Sequence, residues 1–293
     1  MQRKYILFFV GFLFLLDVFV WQEVFTLAGP QNLKVDFLDV GQGDSVFIET
    51  PQKHQILIDG GPSSAVLQKL SERMPFWDKE IDLVILTHPE SDHMQGLFGV
   101  LQRYKVDYVL WTGIARSTPE FQKWVSVLSQ NRAKIITATA GTKIKAGNTE
   151  IDILFPFENL AGKELKDTSN DTCVVSKLIY GKDSFLFTGD ISSVAEKKLV
   201  EIASSQAPRN DDLNSDVLKV AHHGSKYSTS DIFLENVRPK IAVISVGAKN
   251  TYGHPTPEVL QRLQKFGIQT LRTDTNGDIN MVSDGNNIKL IKN

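Results

Sequence analysis

The sequence predicts an α/β protein, a four-layer αββα sandwich preceded by one N-terminal transmembrane helix. Strand-length runs of β-branched and aromatic residues alternate with helix-spaced apolar segments from residue 33 onward, without an internal repeat or a second linker. Apolar strands need covering on both faces, so two mixed sheets with helices outside both give the most economical packing. An apolar N-terminal run predicts the membrane helix.

The N-terminal run begins after Arg3 and Lys4 and extends from Tyr5 to Trp21, continuing weakly to Leu27. About 20 mostly apolar residues suffice to span a bilayer. The positive flank favours a cytoplasmic N-terminus, which places the rest of the chain on the extracytoplasmic side of the membrane. A cleaved signal peptide, and hence a secreted protein, is the alternative, but the run is long and lacks a small-x-small cleavage site.

The composition bounds the rest of the chain. Residues 1–29 are assigned to the anchor (or signal peptide) and its linker, and residues 30–293 to one domain that is long enough for a large core. The net charge of -2 provides no broad positive surface, so local groups and metal ions have to hold any polyanionic substrate. Cys173 is the single cysteine, which excludes an intrachain disulfide and indicates a small core residue.

The elements of the domain are predicted from periodicity and turn residues. Strands are predicted at 33–38, 45–49, 55–59, 81–87, 107–111, 134–137, 150–155, 173–180, 184–188, 217–221 and 241–246, with closing strands near 269, 278 and 288. Helices are predicted at 63–74, 95–104, 119–131, 194–203, 229–236 and 257–266.

The loop after strand 81–87 carries the strongest chemical signal. His88, Glu90, Asp92 and His93 place four potential metal ligands within six positions, and Pro89 is expected to keep the loop from becoming helical. In an extended loop His88, Glu90 and Asp92 point one way while His93 turns in from the next position. Such a loop can serve two adjacent metal ions.

Further polar residues follow other predicted strands. His222 and His223 end strand 217–221, and because adjacent strand residues face opposite sides, one of the two is expected to bind metal. Ser225 and the backbone of Gly224 can donate hydrogen bonds to a substrate oxyanion.

Two glycine-containing segments face the same mouth of the predicted sandwich. In the segment 37–44, the glycines allow a tight turn, and Asp39, Gln42 and Asp44 can orient metal-bound histidines. The segment Asp59-Gly60-Gly61 ends another strand and is interpreted as a turn.

The ligand loop resembles the His-x-His-x-Asp-His motif of the metallo-β-lactamase superfamily, with Glu90 where the second histidine usually stands. The sequences Phe37-Leu38-Asp39-Val40-Gly41-Gln42-Gly43-Asp44-Ser45 and Ala221-His222-His223-Gly224-Ser225 are similar to those of the extracytoplasmic domain of the ComEC competence proteins. This resemblance covers about residues 33 to 293. It implies a nuclease that acts on DNA outside the membrane.

The resemblance also assigns roles to individual residues. Asp190, after the apolar strand at 184–188, looks like the superfamily's metal-bridging aspartate. Asn170 or Asp171, in the turn Ser169-Asn170-Asp171-Thr172, lies where the superfamily keeps a third histidine, and either binds metal or only forms the turn. His254 resembles a late histidine that faces the metals, and with Asp92 and Ser225 it completes the predicted catalytic set.

The ligand set predicts two divalent ions. His88, Glu90 and Asn170 form one site, and Asp92, His93 and one of His222 and His223 form the other, with Asp190 between them. Oxygen-rich ligands shift preference from Zn²⁺ towards Mn²⁺ or Mg²⁺, although intrinsic affinity still favours Zn²⁺.

The function predicted from this site is metal-dependent hydrolysis of a phosphodiester, with DNA as the expected partner and the membrane as the second. A cell-surface phosphodiesterase of the phosphorylcholine esterase type is the alternative within the superfamily. A surface module without catalytic activity is the alternative from another class, because Glu90 and the missing third histidine depart from the superfamily motif.

Overall fold

A computed structural model describes residues 2–28, 32–164, 170–205 and 213–291. Ser169 and most of the polar loop at 204–214 lie outside the described residues, as do residues 29–31 of the linker. The N-terminal helix α1, Gln2–Ala28, contains a candidate membrane span at Arg3–Trp21 with a mean hydropathy of 2.0. Its large apolar side chains from Tyr5 to Trp21 are exposed, which fits a lipid environment better than water.

Two mixed sheets form the centre of the domain. The first has eight strands in the order β15-β14-β1-β2-β3-β4-β5-β6, and the second has seven in the order β13-β12-β11-β10-β9-β8-β7. The strands are β1 Leu33–Phe37, β2 Val46–Glu49, β3 Gln55–Ile58, β4 Glu80–Ile85, β5 Lys105–Trp111, β6 Lys134–Thr137, β7 Lys143–Ala146, β8 Thr149–Phe155, β9 Val175–Tyr180, β10 Asp183–Phe187, β11 Val217–Lys219, β12 Ile241–Ile244, β13 Gln269–Arg272, β14 Ile279–Ser283 and β15 Ile288–Ile291.

Helices cover the outer face of each sheet. The helices of the domain are α2 Ala65–Arg73, α3 Ser91–Arg103, α4 Pro119–Gln130, α5 Ser193–Ser205, α6 Asp231–Val237, α7 Pro257–Lys265 and the single turn α8 Thr273–Asn276. Three buried clusters separate the layers: one beneath α2 to α4, one beneath α5 to α7, and one between the sheets. Phe37 and Phe187 meet in the middle cluster with ring centroids 6.1 Å apart. The predicted αββα sandwich is confirmed.

Strand direction gives the sandwich two chemically different edges. Strands β3 to β6 run parallel in the first sheet, and β10 to β13 run parallel in the second. The edge at their carboxyl ends, where Asp59, His88 and Asp190 follow β3, β4 and β10, is here called the site edge. The opposite edge, where β1 and β4 begin, is called the base edge.

Four local predictions were wrong or incomplete. Strand β7 was missed because it is a partly exposed edge strand whose side chains show no clear burial signal. The turn α8 is too short to give a helical period. Helix α3 begins at Ser91 instead of 95, and β11 ends at Lys219 instead of 221. The last two differences change the geometry of the site.

Replacing Trp124 tests the packing of α4 on the first sheet. Its side chain is fully buried against Trp111, with ring centroids 6.0 Å apart. Trp124→Ala is expected to lower the free energy of unfolding by about 3–5 kcal/mol because it leaves a cavity. The measurement is urea denaturation of the detergent-solubilised chain. The neighbouring Val125→Ala, at a 42% exposed position, should change the stability by less than about 0.5 kcal/mol, and equal effects would contradict this packing.

Candidate metal centre

The ligand loop begins a helix instead of remaining extended. Glu90 occupies the N-cap position of α3 with extended backbone angles, and Asp92 and His93 lie in the first helical turn. The prediction that the loop stays extended because Pro89 prevents a helix is therefore wrong after Glu90. An acidic side chain in the first turn is favoured by the helix dipole, and the amide of Met94 donates to the carbonyl of Glu90 at 2.9 Å.

The segment containing Gly43 packs directly against this first turn. Gly43 has a φ of +142°, and a Cβ there would collide with the carbonyl oxygen of Asp92. The next amide, that of Asp44, donates to the same carbonyl at 3.3 Å. The close approach of the two backbones therefore requires glycine at position 43. It also fixes the position of Asp92 relative to β2, the strand that follows the Gly43 segment.

His93 is oriented by Asp59, a residue that the sequence indicated only as part of a turn. Asp59 Oδ2 lies 2.8 Å from His93 Nδ1 and accepts a hydrogen bond from Thr87 Oγ1 at 2.7 Å. A carboxylate only accepts, so His93 carries a hydrogen on Nδ1, and its Nε2 lies 3.4 Å from Asp190 Oδ2. The isolated Asp59-Gly60-Gly61 pattern contained no signal for this role beyond its strand-end position.

His223 is oriented in the same way by a backbone carbonyl. Its Nδ1 lies 2.8 Å from the carbonyl oxygen of Ser245, which can only accept, so Nδ1 donates. Its Nε2 lies 3.3 Å from Asp92 Oδ2 and 3.4 Å from Asp190 Oδ2. The geometry selects His223 as a candidate ligand.

The strand argument for the paired histidines was wrong. His222 and His223 lie in a short 3₁₀ turn at Ala221–Gly224, and both have left-handed backbone angles, with φ of 50° and 53°. Such angles are unfavourable for residues with a Cβ, and two in succession are concentrated at functional sites. Both rings line the cavity, and His222 Nδ1 lies 3.3 Å from Asn170 Nδ2.

Four side chains form a cluster suited to one metal ion. Ligand atoms of Asp92, His93, Asp190 and His223 all lie within 4.8 Å of one another. His93 Nε2 and Asp190 Oδ1 are buried without a hydrogen-bond partner. Buried polar atoms without partners are costly, and a cation would satisfy both. The donor set of two imidazoles and two carboxylates therefore fits a divalent ion.

Electrostatics in this cluster are strongly coupled. Burial alone would lower the pKa of His93, but Asp190 and Asp59 raise it well above its usual value. Burial is likewise outweighed at His223, where Asp190 and Asp44 raise the pKa to about 10. At Asp190 burial raises the pKa, but His223 and His93 hold it well below its usual range. The histidines thus balance the buried carboxylates in the absence of a metal ion.

The residues predicted for the other metal site are less closely gathered. His88 is buried with its Nε2 unpartnered, and burial and His93 lower its pKa to about 3, which keeps it neutral and able to bind metal. Glu90 Oε1 instead lies 3.0 Å from Arg116 Nη2. Asp171 accepts from Ser192 Oγ at 2.6 Å, as expected for a turn residue. Metal binding by Glu90 and Asn170 remains a prediction.

Lys219 is a component of the site that sequence reasoning missed. It is 2% exposed, and its Nζ forms an ion pair with Asp44 and lies 3.6 Å from Asp190 Oδ1 and 3.1 Å from the carbonyl of Gly189. Burial lowers the pKa of Lys219, but Asp44 and Asp190 raise it above its usual value. A lysine between Leu218 and Val220 in an apolar strand was the available signal.

A cavity of about 630 Å³ opens beside the cluster at the site edge. It is lined by Gln42, His88, Glu90, Asp92, Arg116, Asn170, Asp190, His222, His223, Tyr252 and His254. His254 lies in the cavity, as predicted, and its ring centroid is 5.6 Å from that of His222.

Two predicted residues have other roles in the structure. Ser225 is 3% exposed and does not line the cavity, and its Oγ accepts a hydrogen bond from the amide of Tyr227 at 3.4 Å. The structure therefore does not support its prediction as an oxyanion donor. Asp39 stabilises its own turn by accepting from the amide of Gly41 at 3.2 Å, whereas Asp44 contacts the site as predicted.

Metal binding should release protons from His93 and His223. Nearby carboxylates raise the pKa of His93 well above its usual value and that of His223 to about 10, whereas metal binding requires neutral imidazoles. Mn²⁺ binding at pH 7 is expected to release about two protons and to strengthen by up to about 100-fold per pH unit. Calorimetric titration in buffers of different ionisation enthalpy measures the release. His54→Ala, which removes a surface histidine paired with Asp82, should leave it unchanged; a buffer-independent enthalpy would contradict the expectation.

Removing the buried cation should destabilise the metal-free protein. Lys219→Met removes the buried ammonium beside Asp44 and Asp190 and leaves only His93 and His223 to balance them, so the free energy of unfolding is expected to fall by about 3–5 kcal/mol. Excess Mn²⁺ should restore part of the loss. Urea denaturation with and without Mn²⁺ measures both effects. Lys240→Met removes an exposed ion pair to Asp216 and should cost less than about 1 kcal/mol; a similar loss in both variants would argue against the role of Lys219.

Comparison with known proteins identifies the family. Residues 38–248 match the model of the metallo-beta-lactamase superfamily. The chain is 32% identical over 265 residues to ComE operon protein 3 of Bacillus subtilis. This match covers 84% of this chain and 32% of that protein. It is 30% identical over 251 residues to competence protein ComA of Neisseria gonorrhoeae, covering 85% and 32% respectively. The chain thus spans about a third of the length of these relatives.

A solved structure supports the fold independently. The metallo-beta-lactamase fold protein YhfI from Bacillus subtilis superposes with a TM-score of 0.56 at 13% identity, covering 86% of this chain and all of that one. At this identity the likeness concerns the fold alone. The family match shows that the chain belongs to the metallo-β-lactamase superfamily of metal-dependent hydrolases, with competence proteins among its relatives.

Proposed function

We propose that this protein is a membrane-tethered, metal-dependent phosphodiesterase that cleaves DNA outside the membrane. The observation that carries the proposal is the combination of a metal cluster of two imidazoles and two carboxylates with the guanidinium of Arg116, which lines the cavity beside it. Arg116 is the one Lys or Arg side chain among the described residues that line this cavity. A phosphodiester carries a negative charge that needs such a cation beside the metal.

The charge balance of the cavity supports an anionic substrate only when metal is bound. Glu90, Asp92 and Asp190 line the cavity and would repel a phosphate, whereas Arg116 supplies one positive charge at its wall. A divalent ion held by the cluster would offset part of the carboxylate charge, polarise a phosphoryl oxygen and lower the pKa of the attacking water. Arg116, held at 3.0 Å by Glu90, would orient a non-bridging phosphate oxygen.

His254 and His222 supply proton acceptors at the other side of the cavity. Burial and His222 lower the pKa of His254, and burial also lowers the pKa of His222, so both imidazoles are neutral near pH 7. His254 Nδ1 is buried without a hydrogen-bond partner. A neutral imidazole in this position would accept a proton from the attacking water.

Tyr252 supports a nucleic acid rather than a small cell-surface phosphodiester as the substrate. Its side chain is 70% exposed at the cavity wall and stacks on His254 with ring centroids 6.0 Å apart and an interplanar angle of 24°. Exposed aromatic rings bind unpaired bases by stacking, with little dependence on base identity. The name of one relative, competence protein ComA, refers to competence, which fits the DNA substrate that the sequence resemblance implies.

The proposed location rests on α1. An apolar helix with a candidate span at Arg3–Trp21 is consistent with membrane association, as are the competence-protein relatives. The two cations at the start of the span, Arg3 and Lys4, favour a cytoplasmic N-terminus and a catalytic domain on the other side.

Activity assays with two substrates test the proposed function. The full chain in detergent should cleave single-stranded DNA in the presence of Mn²⁺ and lose activity with a chelator. Asp92→Ala should reduce cleavage by more than about 100-fold because it removes a ligand from the cluster. Asp107→Ala, at an exposed position on β5, is the matched control and should retain activity.

The same assays separate the alternatives. Cleavage of a small chromogenic phosphodiester without cleavage of DNA would favour the cell-surface phosphodiesterase. Failure to bind metal together with inactivity on both substrates would overturn the enzymatic proposal and favour a binding module. Full activity of Asp92→Ala would show that the assigned cluster does not perform the reaction.

A further inference from the structure

An exposed aromatic pair lies at the base edge, far from the cavity. Phe76 and Trp77 are 82% and 72% exposed, which makes them the most exposed large hydrophobic side chains in the described domain. Their rings pack edge to face with centroids 4.8 Å apart. Single exposed hydrophobic side chains are ordinary. Two adjacent aromatic rings with this exposure indicate a surface that binds a membrane or another molecule.

Hydrogen bonds hold the turn that carries the pair. Phe76 and Trp77 are the central residues of a β-turn that the amide of Asp78 closes by donating to the carbonyl of Pro75 at 2.9 Å. The Asp78 carboxylate accepts from Gln55 Nε2 at 2.6 Å and from the amide of Glu80 at 3.1 Å. The rings are therefore held outward before any partner binds, which lowers the entropic cost of binding.

The turn lies at the same edge as the junction between α1 and the domain. Strand register aligns Lys34 with Glu49, and Glu49 with Gln55, which is the residue that anchors Asp78. From β1 to β4 the sheet order crosses three strand spacings, about 14 Å. Five residue steps connect Ala28, the last residue of α1, to Leu33, a reach of at most about 18 Å.

We propose that Phe76 and Trp77 insert into the bilayer interface and form a second membrane contact of the domain. This inference rests on the proposed membrane attachment through α1, and not on the proposed nuclease activity. If α1 spans the bilayer, the short connection holds the base edge close to the lipid headgroups. Aromatic side chains favour this region because an apolar ring and a polar edge are both accommodated there.

The charges around the turn indicate the type of lipid. Lys79 follows the turn, and the amide of Lys105 donates to its carbonyl at 2.7 Å. The Lys105 side chain, however, lies 3.0 Å from Glu80 and 3.5 Å from Asp107. Because cations and anions are mixed here, the contact should be driven by the aromatic rings and should form on zwitterionic phosphatidylcholine without anionic lipid.

The contact would determine how the site faces its surroundings. The metal cluster follows the carboxyl ends of β3, β4 and β10, at the edge opposite the aromatic turn. Two attachments at the base edge, α1 and the turn, would orient the parallel strands so that their carboxyl ends point away from the bilayer. The cavity would then open away from the lipid surface, where an extended polymer can enter.

Tryptophan quenching by brominated lipid tests the contact in the full chain. The experiment uses phosphatidylcholine vesicles with and without dibromo acyl chains, and a Trp21→Phe background that removes the tryptophan of α1. Trp111 and Trp124 are buried in the domain. The expected result is that bromolipid removes most of the emission contributed by Trp77, which is defined by subtraction of the Trp21→Phe/Trp77→Phe variant.

A tryptophan at the site edge is the matched control. Lys249→Trp, in the Trp21→Phe/Trp77→Phe background, places an exposed ring in the loop after β12, on the opposite edge. It should remain unquenched. Equal quenching at positions 77 and 249 would overturn the proposed orientation, and so would unquenched Trp77. Because positions 77 and 249 are both exposed, each variant should have the same thermal unfolding temperature as the Trp21→Phe chain, which would show that it folds.

Flotation of the same vesicles distinguishes the two proposals. If the chain floats and resists alkaline extraction but Trp77 is unquenched, the membrane anchor stands and the aromatic contact is wrong. If the chain does not float with the vesicles, both proposals are overturned. Replacing phosphatidylcholine with a mixture that contains phosphatidylserine should leave the quenching of Trp77 unchanged; quenching only with phosphatidylserine would contradict a contact driven by the aromatic rings.

Discussion

The burial of negative charge at the ends of the central strands is the constraint on which this structure depends. Asp44, Asp59 and Asp190 are each 5% exposed or less, and an unpaired carboxylate in such a position would be prohibitively costly. Each is therefore matched by a cation or donor: Lys219 for Asp44 and Asp190, and His93 for Asp59. The metal cluster continues this network, since a divalent ion would take over the positive charge that the protonated histidines otherwise supply.

The arrangement of strands explains why chemistry collects at one edge. Parallel strands in both sheets end at the site edge, so residues that directly follow β3, β4, β10 and β11 converge although they are distant in sequence. The base edge contains the junction with α1 and the turn at Phe76 and Trp77 instead. The same topology thus separates the region proposed to contact lipid from the region proposed to bind the substrate.

Local backbone geometry was the least predictable part of the site. The first turn of α3 begins at Ser91, and the segment at Gly43 and Asp44 packs directly against the carbonyl of Asp92 in that turn. The left-handed angles of His222 and His223 oppose the intrinsic preference of residues with a Cβ. Sequence patterns report average preferences, and at both places the surrounding packing overrides them.

The sequence by itself determined the layered fold, the apolar N-terminal helix and the types of ligand, because hydrophobic periodicity and local composition encode these features within short segments. Only the tertiary structure decided that His223 is the oriented member of the histidine pair and that Glu90 contacts Arg116. It also decided that Asp59 orients His93, 34 residues along the chain. These relations depend on strand register and on which buried charges meet, and both are set by contacts between residues far apart in the chain.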